Sequence, residues 1–324
     1  MATLQGATIP KTQVAAVVKE IGAPLSINQD HPVKQASELK PGECLVKISH
    51  TGVCHTDLHA KQGDWPVPSQ HPLIGGHEGV GTIVAIGKHT VASPVKLGDR
   101  VGIKWLANSC LSCELCRRGF EMNCPHIQLS GYTVDGTFSE YVVSFVNHVT
   151  PIPVNLDSAG AASILCAGVT TYKALKVSNT KVGDWIALPG AGGGLGHLAV
   201  QRNSPSLLVP TLGLTLRLPK TLSPTLKSLQ AAIEYLKPSG TLVAVGMPDA
   251  EMGANIFWTV FKSIRIQGSY VGNRQDTIEA LDIAASGKVK VVYEQKRLAD
   301  LKDVYEDLEA GKIAGRIILK VTKE

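Results

Sequence analysis

Over roughly the first 150 residues, apolar and polar positions alternate in short runs. Residues 44–49, 79–87, 99–104 and 138–144 are examples. The turn-forming triplets Lys40-Pro41-Gly42, Leu97-Gly98-Asp99 and Val134-Asp135-Gly136 lie between them. A period of two buries one face of a strand, and Gly, Pro and Asp supply the dihedrals that tight turns need. The pattern predicts an irregular all-β domain, a partly open barrel.

Near Ser158 the pattern changes. Small residues over 159–176 predict a helix, followed by Val182-Gly183-Asp184 and an apolar strand at 185–188. A glycine-rich turn then leads into a helix starting at Leu195. Strand, glycine turn, helix is how a dinucleotide-binding fold opens. Further on, helices are predicted at 231–236, 280–286 and 298–310, and strands at 241–245, 264–270 and 315–321. No internal repeat occurs. The fold class is thus α/β plus β: a β domain of residues 1–158 and 290–324, and a doubly wound domain of residues 159–289.

Composition narrows the class. At 44% hydrophobic and 18% charged over 324 residues, the chain has enough apolar surface for two cores. No run of 18 apolar residues occurs, so no membrane span is expected. The first twenty residues lack a secretory succession, and a cytoplasmic protein is the default expectation. The net charge of +5 is concentrated: Arg202, Arg217, Lys220 and Lys227 give residues 202–229 a balance of +4 with no acid. The remainder is near neutral and gives no electrostatic case for nucleic acid.

Seven cysteines in such a chain favour metal ligation over disulfides. Cys110, Cys113, Cys116 and Cys124 follow the spacing C-x2-C-x2-C-x7-C, which lets one loop wrap a tetrahedral zinc ion. Four thiolates close the coordination sphere, so this site is expected to be structural. Cys54, His77 and Cys166 are scattered, each beside glycine-containing segments, and spacing alone does not group them. Cys44 reads as a small buried hydrophobe on a strand.

Four segments carry a resemblance: Gly-Val-Cys-His-Thr-Asp-Leu-His at 52–59, Gly-Gly-His-Glu-Gly at 75–79, the four-cysteine loop, and Leu-Cys-Ala-Gly-Val-Thr at 165–170. Together they resemble the zinc-containing medium-chain alcohol dehydrogenases, in particular those of yeasts and fungi. The resemblance runs from Val14 to Gln201 and resumes from Ala231 to the C-terminus. It implies a GroES-like catalytic domain, a Rossmann-type cofactor domain, two zinc ions per chain, NAD, and assembly into a homo-oligomer, a tetramer.

It also implies roles. Cys54, His77 and Cys166 would hold the catalytic zinc, with Glu78 as an alternative ligand, leaving one position open for substrate. Thr56 would take the hydroxyl proton of the alcohol and pass it through the cofactor ribose to His59, since an imidazole titrates near neutral pH. Asp57 would hydrogen-bond His77 and fix its tautomer. Trp65 and Trp105 would narrow the pocket to ethanol and other short primary alcohols. His55, Arg316, Gly190, Gly193, Gly194, Leu195, Gly196, Val245, Met247, Ser269 and Val271 would line the cofactor. A polyol dehydrogenase is disfavoured by the four-cysteine loop together with Trp65 and Trp105.

One stretch departs from this pattern. A dinucleotide fold places an acidic residue about 20 positions after its glycines, to bond the ribose hydroxyl. No acid occurs between Trp185 and Ile233. Instead Pro205, Pro210, Pro219 and Pro224 punctuate residues 202–229, which forbids a long helix or a central strand there. A cofactor domain missing internal strands is expected, with weak or absent NAD binding. The competing reading is a truncated zinc protein without catalysis.

Overall fold

The structure, a computed structural model, describes residues 2–3, 8–181, 184–202, 232–249 and 251–322. Its first half is built on one mixed sheet. In spatial order the strands are Thr150–Pro151, Arg100–Ile103, Gly79–Ile86, Glu43–Val53, Arg316–Lys320 and Tyr293–Arg297. Tyr141–Phe145 also pairs with the central strand, antiparallel, Val143 opposite Leu45. Each of the four predicted β runs overlaps one of these strands, and the run 44–49 lies wholly within one.

The long strand Glu43–Val53 shows why the alternation is there. Cys44, Val46 and Ile48 meet Ile83, Val101, Ile103 and Val142 on one face. Leu45 packs with Val33, Leu39 and Val84 on the other. Register shifts between Leu45 and Val46, and between Ile48 and His50, bend the sheet. Among the described residues it keeps two edges and does not close, so the expected barrel is an open one. Cys44 is fully buried and burial pushes its thiol up to about 12, which leaves it an inert packing group.

The C-terminal strand Arg316–Lys320 pairs with Glu43–Val53, Ile317 opposite Val53, and returns the end of the chain to the first sheet. Beside it runs Tyr293–Arg297, parallel and in register from Tyr293 with Arg316. Alternation did not predict this strand, because Tyr-Glu-Gln-Lys-Arg reads as solvated. It is an edge, and charge on an edge is how sheets avoid pairing with other chains. The helix Leu301–Glu309 buries Leu301, Val304, Tyr305 and Leu308, at i, i+3, i+4 and i+7, in one cluster with Val53, Phe138, Ile317 and Leu319.

The second half starts with the expected helix, in three parts: Ser158–Ser163, a π-helical turn Ile164–Gly168, and Val169–Val177. Asp157 caps it, accepting from the Gly160 amide at 2.7 Å. A parallel pair of strands, Thr241–Ala244 and Arg265–Gly268, follows further on. Three expectations are corrected here. Residues 185–188 form no strand: Trp185 is half exposed, and the run has no ladder partner among the described residues. The strand expected at 264–270 ends at Gly268, because Val271 turns the backbone to a φ of +47°. The helix expected at 280–286 begins earlier, as Arg274–Ala285, under an Asn273–Asp276 capping box. The proline-punctuated stretch lies almost wholly outside the described residues.

Candidate metal centres and active site

The four-cysteine loop folds back on itself through Leu111 and Gly119, both in the left-handed region. Its short helix Glu114–Arg117 starts at Cys113, whose sulfur accepts from the Cys116 amide. Cys110 Sγ accepts from the Cys113 amide at 3.3 Å, and Cys124 Sγ from the amides of Cys110 and His126 at 3.4 Å. Such amide donors favour thiolates, and the Ser112 backbone holds the Cys110 thiol down at about 5. Sulfur separations are 3.6 Å for Cys124–Cys110 and 4.0 Å for Cys110–Cys116. A tetrahedron with Zn–S bonds of about 2.3 Å has edges of about 3.8 Å, so the set fits zinc.

The scattered residues also converge. The ligand atoms of Cys54, His77, Glu78 and Cys166 lie within 4.8 Å of one another, and all four residues are buried. Cys54 stands at the start of the helix His55–Gln62. His77 follows the strand Leu73–Ile74 through Gly76, whose φ of +92° only glycine adopts without strain. Cys166 lies in the π-helical turn, a local widening that re-aims its side chain. Asp57 ties the group together. It accepts from the Cys54 amide at 2.9 Å and the Gly76 amide at 3.2 Å, and its Oδ1 lies 2.8 Å from His77 Nδ1. That leaves His77 Nε2 facing Cys166 Sγ at 3.2 Å.

Electrostatics favour ligand chemistry. The hydrogen bond with Cys166 holds the Cys54 thiol well below the ordinary thiol range, helped by His77 and Arg316. Burial alone would lower His77, but the Asp57 carboxylate raises it well above the usual imidazole range. Burial raises Glu78 to about 7. Arg316, itself only 6% exposed, donates to Glu78 Oε1, and Glu78 Oε2 has no partner. An unpaired buried oxygen beside two thiols and an imidazole is what a metal ligand looks like before the ion is added. Gly52 makes room for it, since a Cβ there would stand 2.0 Å from Oε2.

Thr56 is half-buried on the first turn, its Oγ1 3.7 Å from Cys54 Sγ, and His55 beside it is exposed. His59 is partly exposed and its Nδ1 lies 2.9 Å from the Asp64 carboxylate; its ring stacks on Trp65 at 5.0 Å. Trp105 meets His77 edge-on at 5.1 Å. Both tryptophans wall a cavity of about 210 Å³, with Leu129, Tyr132, Met247 and Tyr270. Trp105 Nε1 donates to Tyr270 Oη at 2.7 Å. Sequence reading missed Asp64, Tyr132 and Tyr270, because no spacing rule connects them to the ligands.

Gly190 takes a φ of +72°, and the Gly193 amide donates to its carbonyl at 2.9 Å. Leu195 precedes the helix Gly196–Arg202, and a Cβ on Gly196 would stand 2.1 Å from the Gly190 oxygen. The Arg316 guanidinium reaches this turn, 3.0 Å from where a Gly194 Cβ would be. It therefore spans the glycine turn and the metal-ligating cluster, and its bland alternative, an exposed surface arginine, is excluded. Val245 follows the strand Thr241–Ala244, and Ser269 is buried, its hydroxyl unpartnered.

Comparison with known proteins agrees with this arrangement. Residues 40–154 match the alcohol dehydrogenase GroES-like domain family. The chain is 44% identical to an alcohol dehydrogenase of Schizosaccharomyces pombe, over 98% of this chain and all of that one. It is 42% identical to an alcohol dehydrogenase of Geobacillus stearothermophilus, over 96% of this chain and 99% of that one. The first alignment spans 354 positions against 324 residues here, so at least 30 positions of that relative face a gap. Among solved structures, an acetophenone reductase of Geotrichum candidum in complex with NAD superposes with a TM-score of 0.83 at 26% identity, covering 97% of this chain and 98% of that one.

Proposed function

We propose, for a chain that belongs to the zinc-type medium-chain alcohol dehydrogenase family, that it interconverts a short primary alcohol such as ethanol and its aldehyde using NAD. The observation that carries this is the cluster of Cys54, His77, Glu78 and Cys166, within 4.8 Å of one another. Trp105, one wall of the narrow cavity, packs edge-on against its histidine. Relatives matched over their whole length support this active reading over a truncated, non-catalytic one. Among the described residues, no helix is long and apolar enough to cross a membrane.

In this reading Cys54, His77 and Cys166 hold a catalytic zinc with Glu78 as the alternate ligand, and Cys110, Cys113, Cys116 and Cys124 hold a structural one. Bound there, zinc supplies a Lewis acid that acidifies an alcohol hydroxyl, and NAD supplies the hydride acceptor. Thr56 takes the hydroxyl proton, and His59, oriented by Asp64, delivers it to solvent. Arg316 and the turn at Gly190, Gly193, Gly194, Leu195 and Gly196 offer positive charge and close backbone approach to a pyrophosphate. His55 adds to that charge, while Val245, Met247, Ser269 and Val271 would line the rest of the cofactor site. Trp65 and Trp105 exclude long or branched substrates.

The division into a catalytic domain of residues 1–158 and 290–324 and a cofactor domain of residues 159–289 belongs to the same reading, as does a cytoplasmic setting. So does assembly of identical subunits into a tetramer. It is supported by the helix Ile256–Phe261, whose Ile256, Phe257, Val260 and Phe261 are all exposed.

The test is metal analysis and kinetics on the purified chain. Two zinc ions per chain are expected, with NAD-dependent oxidation of ethanol far faster than of sorbitol. Two zinc ions without turnover of any alcohol would overturn the enzymatic reading. Faster sorbitol oxidation would overturn the substrate assignment. Asp57→Asn is expected to weaken zinc retention or activity about 10–100-fold, because His77 loses the carboxylate that fixes its tautomer. Competition against a chelator measures this directly.

A further inference from the structure

Val271 is a β-branched residue at a φ of +47°, a strained backbone conformation that persists only where neighbours enforce it. It follows Tyr270, which forms one wall of the cavity and accepts from Trp105. On the upstream side, the Ser269 amide is tied to the Ala244 carbonyl at 2.8 Å. On the downstream side, the ties come from the four-cysteine loop, a different part of the chain. Asn273 Nδ2 donates to Gly119 O at 3.0 Å. The Arg274 amide donates to Glu121 Oε2 at 3.2 Å, and its Nε to Glu121 Oε1 at 3.0 Å. A second guanidinium nitrogen of Arg274 lies 2.9 Å from the same carboxylate, which is 8% exposed. Gly272 closes the turn against Val169, leaving a Cβ only 2.6 Å. The strained turn is thus clamped at both ends, and its downstream clamp is a half-buried ion pair in which Glu121 Oε1 meets two guanidinium nitrogens of Arg274.

We propose that Glu121 is a positioning residue for substrate selection: through Arg274 and the cap of the helix Arg274–Ala285 it holds Tyr270 at the width that admits a short alcohol. This rests on the alcohol dehydrogenase reading given above. The loop around the structural cysteines then does more than stabilise its own surroundings. It sets the far wall of the pocket, and Trp105, hydrogen-bonded to Tyr270 and edge-on to His77, connects that wall to the ligating cluster.

The experiment is Glu121→Gln in the full-length chain, which removes the charge and keeps the size. Relative kcat/KM is expected to shift from ethanol toward 2-propanol by about tenfold, the scale of one methyl group in a fitted pocket. Hydrogen exchange at the Ser269 and Asp276 amides, bonded to Ala244 O and Asn273 Oδ1, is expected to rise about tenfold, with the central strand Glu43–Val53 unaffected. Zinc content should stay unchanged. Glu114→Gln, on the same loop but exposed and paired only with Arg118, should change neither quantity. Arg274→Lys keeps the charge but loses the fork; it should reproduce both changes and replaces Glu121→Gln if that variant does not fold. A lowered melting temperature with unchanged preference and unchanged local exchange overturns the proposal, as does exchange that rises uniformly. Should the unmodified chain oxidise no alcohol, the functional reading falls, and local exchange alone decides whether the clamp exists.

Discussion

A chain carrying Cys54→Ser is expected to hold one zinc ion instead of two and to lose at least about a thousandfold in turnover of ethanol. A serine hydroxyl stays protonated at neutral pH and is a poor zinc ligand, whereas the Cys54 thiol is held low by its hydrogen bond with Cys166. Losing the Lewis acid removes several kcal/mol of transition-state stabilisation, and each 1.4 kcal/mol or so is a factor of ten. The effect should be confined to the catalytic set. Asp57 would still order the helix start through the backbone amide at residue 54, so the fold around it should persist. Cys113→Ser is the matching control: it should also lose one zinc, but its main effect should be a lower melting temperature. Retention of two zinc ions by Cys54→Ser, or turnover within tenfold of the unmodified chain, would show that this cluster is not the catalytic centre.

The two metal sites were legible in the sequence to different depths for a physical reason. Cys110, Cys113, Cys116 and Cys124 lie in one loop, and short spacing is itself the geometry. Cys54, His77 and Cys166 come from a helix start, a glycine turn and a π-helical turn, and only long-range pairing brings these together. Resemblance was needed to group them. The same limit hid Asp64, Tyr132 and Tyr270, whose ring packing and hydrogen bonds depend on where loops land.

Secondary structure followed similar logic. Alternation found the sheet of the first half because burial there really is set by the pleat, as along Glu43–Val53. It failed at Tyr293–Arg297, where an edge strand is charged, and at residues 185–188, where an apolar run has no described partner. In the second half, apolar content translated into burial only in part: Ile164, Leu165, Leu198 and Leu281 are buried together, but other apolar positions are not. The strand Arg265–Gly268 is exposed along its length, and the helix Ile256–Phe261 presents apolar side chains outward. Both observations agree with a chain in which at least 30 positions of that relative face a gap.

Lys104→Met should make the protein more stable at neutral pH, by a margin that shrinks as pH rises. Lys104 is 1% exposed and burial pulls its amine down to about 7, with Arg274 lowering it further and Glu121 opposing. Its Nζ donates to the His148 carbonyl and, at 3.2 Å, to Thr150 Oγ1. Because the folded value lies below the unfolded one near 10.5, the unfolded chain binds more protons between those limits. Stability therefore rises with pH across that window, by up to about 1.4 kcal/mol per pH unit from this one group. Methionine has no proton to bind, so the variant should lack that slope. Near the top of the window the variant loses two hydrogen bonds and should be no more stable than the parent. Approaching pH 7 it should gain several kcal/mol on the parent, an order-of-magnitude figure. His148, pushed down to about 3 by burial and by Lys104, adds a separate loss of stability in acid. Without the ammonium nearby, the His148 value should rise toward the unfolded one, so the variant should lose less stability in acid. Chemical denaturation at a series of pH values gives the difference between the two chains directly. A difference that stays flat from neutral to alkaline pH would mean that Lys104 keeps an ordinary amine pKa.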